Sequence, residues 1–139
     1  MKAIILGAGY GSRLGDLTKN TPKNLLDING KSILERQIIT FQNNGINDIL
    51  LIVGPHKEKY NLKNVRYIED KNFDEHEQLS SLMVAKNQIR DNVIITFADV
   101  LIDQQIISQI IRSSQKIGIA VDLHWESNYV GRTQHPISE

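Results

Sequence analysis

The chain has 139 residues, 40% of them hydrophobic, and 16 Lys plus Arg are balanced by 16 Asp plus Glu. That length supports one compact domain with its own core, and that composition excludes a disordered chain. Zero net charge leaves no general field for nucleic acid or an anionic membrane, and the lack of cysteine excludes a disulfide framework or a thiolate metal site.

Apolar runs alternate with helical patterns, the layout of a mostly parallel sheet with crossover helices. The first strand is expected at Ala3 to Leu6, directly after Met1-Lys2, with no signal-peptide layout. No apolar stretch approaches membrane-spanning length, so a cytoplasmic enzyme or binding domain is the expectation. Ser32 and Glu35 form a capping box for a helix that turns Ile33, Leu34, Ile38 and Phe41 inward and ends near Gly45. Strands at Ile49 to Val53 and Val65 to Ile68 flank a polar loop over residues 54–64. Leu79, Leu82, Met83 and Ile89 make the apolar side of a second helix, followed by a strand at Val93 to Phe97. Asp103 caps a third helix, in which Ile106, Ile107, Ile110 and Ile111 recur at helical spacing. A last strand is expected at Ile119 to Leu123. The continuous apolar character of these strands suits central positions covered on both faces. Residues 124–139 carry no clear period.

The loop after the first strand, Gly7-Ala8-Gly9-Tyr10-Gly11-Ser12-Arg13-Leu14, holds the most chemical information. Glycine at every second position lets backbone adopt positive φ and brings its N–H groups close to a ligand. Inward-facing amides make an anion nest, and Arg13 adds a forked, permanent positive charge. A polyphosphate is the matching ligand. A dinucleotide fingerprint is excluded because its third glycine falls on Ser12, and no Gly-Lys-Ser/Thr is present near the strand to make a P-loop. In a parallel sheet, ligands bind beyond the carboxyl ends of strands, where Asp99 and Asp122 are also expected. Asp99 suits either a Mg²⁺ ligand or a cap on the following turn, and the residues alone do not separate the two. His56, His76, His124 and His135 show no ligand spacing, and no role is assigned to them.

G-A-G-Y-G-S-R-L, followed by T-x-x-T-P-K-N-L-L, resembles the G-x-G-x-R-(M/L)…P-K signature of the sugar-phosphate nucleotidyltransferases. The resemblance implies an α/β, Rossmann-like three-layer sandwich with a mostly parallel sheet. It implies that the backbone around Leu6, Ala8 and Gly9 recognises the base, with Gln78 and Ser81 as polar candidates. Gly9, Gly11, Ser12 and Arg13 would hold the β- and γ-phosphates, Lys23 would lie against the reacting phosphates, and Arg13 and Lys23 would be catalytic. The family's aspartate after a G-D or A-D pair matches Ala98-Asp99, which implies Mg²⁺ at Asp99.

Asn-Gly-Lys-Ser-Ile-Leu-Glu-Arg-Gln-Ile, Ser-Ser-Leu-Met-Val-Ala, Asp122-Leu-His-Trp125 and the tail from Tyr129 are similar to the branch acting on phosphocholine or 2-aminoethylphosphonate. That implies transfer of CMP from CTP to a small phosphate- or phosphonate-bearing acceptor. Its cationic nitrogen would meet Asp122 and Trp125 or Tyr129 by ion pairing and cation–π contact. Packing of Trp125 and Tyr129 onto the domain is the other reading. The alternatives in function are a sugar-1-phosphate nucleotidyltransferase and a nucleotide-binding module without turnover. The resemblance covers the N-terminal part of the family domain, so a fragment or a shortened homologue is expected, and a homo-oligomer is compatible with either.

Overall fold

The computed structural model describes residues 1–9, 11–125 and 127. Strand β1 (Lys2–Gly7) lies between β4 (Asp48–Val53) and β6 (Val93–Phe97), with β5 (Val65–Glu69) beyond β4. All three pairings are parallel, in the register Ile5↔Leu51, Ile5↔Thr96 and Leu51↔Tyr67. A short hairpin of β2 (Asp27–Ile28) and β3 (Lys31–Ser32) turns through Asn29 and Gly30, both at positive φ, as a tight hairpin turn requires.

Side chains alternate across the sheet and divide the core into two layers. Ala3 and Ile5 of β1 and Ile49, Leu51 and Val53 of β4 pack with Leu34, Ile38 and Phe41 of helix α1 (Ile33–Asn43) and Ile107 of helix α3 (Gln104–Arg112). Ile4, Leu50 and Ile52 face the other way, against Leu82 of helix α2 (Gln78–Val84) and Ala85 just after it. The result is the expected three-layer α/β/α sandwich. Helix α1 begins where the capping box placed it, with Ser32 N–H donating to Glu35 at 2.8 Å and Glu35 N–H to Ser32 Oγ at 3.2 Å. Gly45, at φ +77°, follows its last turn. Among the described residues, no helix is long and apolar enough to cross a membrane.

Three expectations are corrected. The segment from Ile119 to Leu123 is not a strand, and Ile119, Val121 and Leu123 are 84%, 71% and 85% exposed. Its β-branched pattern suits a strand, but a strand is stable only with a ladder partner and a face to bury, and among the described residues this segment has neither. Leu79 and Met83 point outward from α2, while Ser81 and Ala85, one turn apart, face inward. The small residues sit where the helix meets the sheet, and Ile89 is partly buried beyond the helix end. Finally, β6 is an edge among the described residues, leaving Ile95 and Phe97 about two-fifths exposed rather than covered on both faces (43% and 40%). 

Phe41 is fully buried between α1 and the sheet. Phe41→Ala is expected to lower unfolding stability by about 3–5 kcal/mol, read from urea unfolding at neutral pH.

Candidate functional site

The chain runs from β1 outward to β4 and β5, then returns to place β6 on the other side of β1. Strand order therefore reverses at β1, and loops leaving the carboxyl ends of β1 and β6 diverge there. A cleft of about 1020 Å³ opens at that point.

The glycine loop forms one wall. Gly11 sits at φ +67°, and a Cβ there would stand 2.9 Å from Lys23 Cβ. Left-handed backbone and a close neighbour thus both demand glycine at this position. Thr18 Oγ1 donates to the Gly11 carbonyl at 3.0 Å, tying the loop to the 3-10 turn that follows. Gly7 and Gly9 use no positive φ. Gly7 is needed for packing, since a Cβ would lie 2.8 Å from Asn24 Nδ2. Gly9 faces open space, where a Cβ would meet nothing and a ligand can approach the backbone. Gly54, outside the motif, matters as much: its Cβ would run into the Ala8 carbonyl oxygen.

Lys23 is set by its neighbour. Asn24 is buried and accepts from the Tyr60 hydroxyl at 3.0 Å, which fixes the Pro22-Lys23-Asn24 turn against the end of β1. Burial of that phenol pushes it up to about 12, with the Asn24 hydrogen bond acting the other way. Lys23 Nζ then pairs with Asp99 at 2.7 Å across the cleft, and both side chains remain more than a third exposed. The turn that carries Asp99 is held by buried Gln37 of α1, whose amide donates to the carbonyls of Phe97, at 2.7 Å, and Val100. Arg13 is exposed, lines the cleft and makes no ion pair or hydrogen bond among the described residues.

The opposite wall is built on Asp70, which follows β5 and is 1% exposed. Ser81 Oγ donates to it, as do Asn72 N–H at 3.1 Å and the His76 ring at 2.9 Å. Burial would raise this carboxyl, but the bonds from Ser81, His76 and Asn72 together hold it below the usual Asp value.

Leu6, Ala8, Gly9, Gly11, Ser12, Arg13, Lys23, Gln78, Ser81 and Asp99 all line this one cleft. Ser81 serves first as a donor to Asp70, a part its sequence context did not reveal. Asp122 and Trp125 are not among the lining residues; they lie in the exposed stretch after α3, where Asp122 accepts from His124 N–H at 2.8 Å. Among the described residues, no strand lies beside β6 to bring them to the cleft. Tyr129 and the tail beyond it fall outside the described residues. Sequence reasoning missed His76, Asp70, Asn24 and Gln37, because their partners are 6 to 60 or more positions away in the chain. Among the described residues no cluster of three metal-ligating side chains occurs. The single carboxylate of Asp99 fits a hydrated cation that takes most of its ligands from water and phosphate.

Because the folded Asp70 carboxyl lies below its unfolded value, its contribution to stability is complete above the ordinary Asp value of 3.8 and is lost as pH falls through the folded one. Urea midpoints from neutral to strongly acid pH should therefore fall more steeply for the native chain than for Asp70→Asn. Parallel curves would refute the assignment.

Residues 3–136 match the MobA-like NTP transferase domain. The choline-phosphate cytidylyltransferase of Streptococcus pneumoniae is 36% identical over 118 residues, covering 82% of this chain and 52% of that protein. The CTP:phosphoglutamine cytidylyltransferase of Campylobacter jejuni is 28% identical over 152 aligned positions, covering 100% of this chain and 59% of that protein. Among solved structures, the CTP:phosphocholine cytidylyltransferase from Streptococcus pneumoniae superposes with a TM-score of 0.61 at 40% identity, over 70% of this chain and 44% of that one. The chain thus spans about half the length of the curated relatives it matches. With a domain match over nearly its whole extent and a fold shared with a structure at 40% identity, the chain belongs to the MobA-like NTP transferase family.

Proposed function

We propose that this chain carries the nucleotide site of a cytoplasmic nucleotidyltransferase that moves CMP from CTP to a small phosphate- or phosphonate-bearing acceptor, releasing pyrophosphate. The observation that carries the reading is the convergence of Arg13, Lys23, Asp99 and the glycine loop on one cleft at the strand-order reversal. The named activities of the relatives above support it.

In the proposed reaction, an acceptor oxygen attacks the α-phosphorus of the nucleotide. The bond from that phosphorus to the bridging oxygen breaks, and pyrophosphate leaves with the electron pair. The acceptor oxygen is already ionised near neutral pH, so alignment and charge neutralisation are what the protein must supply. Backbone at Gly9, Gly11 and Ser12 receives the β- and γ-phosphates, and Arg13, uncommitted in the described structure, neutralises them through its fork. Lys23 stands at the reacting phosphates, poised by Asn24 and Gly11. Leu6, Ala8 and Gln78 line the way to the base. Asp99 is the residue that would hold a divalent cation, Mg²⁺ by preference, and that ion would add positive charge at the phosphates.

CTP binding, measured by calorimetry with Mg²⁺ present, is expected to weaken about tenfold or more in Arg13→Ala. Lys23→Ala should lower kcat by orders of magnitude with its far-UV spectrum unchanged; a change confined to KM would make Lys23 a binding group only. Binding of CTP without pyrophosphate release would assign a nucleotide-binding role without turnover, and failure to bind any nucleoside triphosphate would refute the proposal.

A further inference from the structure

Asp70, His76 and Ser81 form a hydrogen-bonded unit in the wall of the cleft that faces the phosphate loop's strand. A carboxylate can only accept, so the direction of every bond to Asp70 is fixed. Ser81 directs its single proton to Asp70, and its oxygen has only lone pairs left for anything else. Asn72 N–H fills a further acceptor position on Asp70 at 3.1 Å.

The same logic sets the histidine tautomer. Nδ1 stands 2.9 Å and 3.1 Å from the two Asp70 oxygens, so it carries the proton. In the neutral ring, Nε2 is then an acceptor. No hydrogen bond to Nε2 occurs among the described residues. His76 and Ser81 both line the cleft, so with the ring neutral both groups present lone pairs there and no proton. Gln78 nearby is an amide that serves either sense and does not discriminate. Near 1% exposure, the Asp70 carboxylate cannot relieve the arrangement by turning to water. Reversing either bond would leave a buried charge short of a partner, which is costly.

We propose that Asp70 is a positioning residue that makes acceptors of Ser81 and His76 on this wall, and so selects a base presenting an amino group, cytosine, over its isostere uracil. The proposal rests on the nucleotide-site reading above. Uracil places a carbonyl oxygen where cytosine has its amine. Against two acceptors that oxygen would be both unpaired and repelled, and sites of this kind discriminate well between isosteres.

The test is calorimetric titration of the full chain with CTP and with UTP, Mg²⁺ present in both. The native chain should favour CTP by about tenfold or more. Asp70→Asn keeps the shape but adds an N–H₂ donor, which lets Ser81 or His76 turn its proton toward the cleft. The CTP:UTP ratio should then collapse toward unity. His76→Phe keeps a planar ring and removes one acceptor, and should lower the ratio several-fold. Equal weakening of both nucleotides in Asp70→Asn, with the ratio kept, would mean a structural part only and overturn the proposal. So would equal binding of CTP and UTP by the native chain, although that result leaves the nucleotide site standing. Binding of neither nucleotide overturns both. If Asp70→Asn does not fold, His76→Phe decides, and an unchanged ratio there overturns the proposal.

Discussion

Strand β1 pairs along its whole length with β4 on one side and from Lys2 to Leu6 with β6 on the other, while these neighbours lie at very different distances along the chain. The pairings are parallel, so the carboxyl ends of all three strands lie at the same edge of the sheet. The glycine loop leaves β1 there, and the Ala98-Asp99 turn leaves β6 beside it, with Ala98 N–H donating to the Leu6 carbonyl at 2.9 Å. Crossover helices then diverge to opposite faces, α1 and α3 on one and α2 on the other. The cleft is what remains between loops that cannot follow the same path. Its contents are decided by strand order.

Each wall of the cleft is anchored by a buried polar side chain. Asn24, bonded to Tyr60, holds the turn that carries Lys23. Gln37, bonded to the Phe97 and Val100 carbonyls, holds the turn that carries Asp99. Asp70, bonded to Ser81, His76 and Asn72, holds the start of α2 against the end of β5. Apolar packing alone tolerates small sliding of elements, because it is non-directional. A buried amide or carboxylate does not, since its partners must stay within hydrogen-bond distance and angle. These three residues convert a generic sandwich into one with fixed positions at its functional edge.

Charge at the site is local and unevenly committed. The chain as a whole is neutral. Lys23 is engaged with Asp99, while Arg13 stands exposed on the loop. An exposed pair such as Lys23–Asp99 adds little to folding stability. Its value is geometric: it places one cation and one carboxylate at opposite ends of a single 2.7 Å contact in the cleft.

The sequence by itself determined what depends on neighbours close in the chain. The capping box at Ser32 and Glu35, the Asp103 cap, four of the five strands and the demand for glycine at Gly11 are set by local geometry, and they are present in the structure. The motif residues Arg13, Lys23 and Asp99 were legible as a group because their types and spacing already set them apart, and they line one cleft. Tertiary structure alone decided the rest. Ile119 to Leu123 carries a strand pattern with no ladder to join, so its propensity goes unused. Which face of α2 turns inward depended on Asp70 drawing in Ser81, against the apolar bias of Leu79 and Met83. Histidine 76 gained a partner, and a defined proton, only when β5 brought Asp70 beside it. Hydrogen-bond direction is a property of pairs, and no single position in the sequence records it.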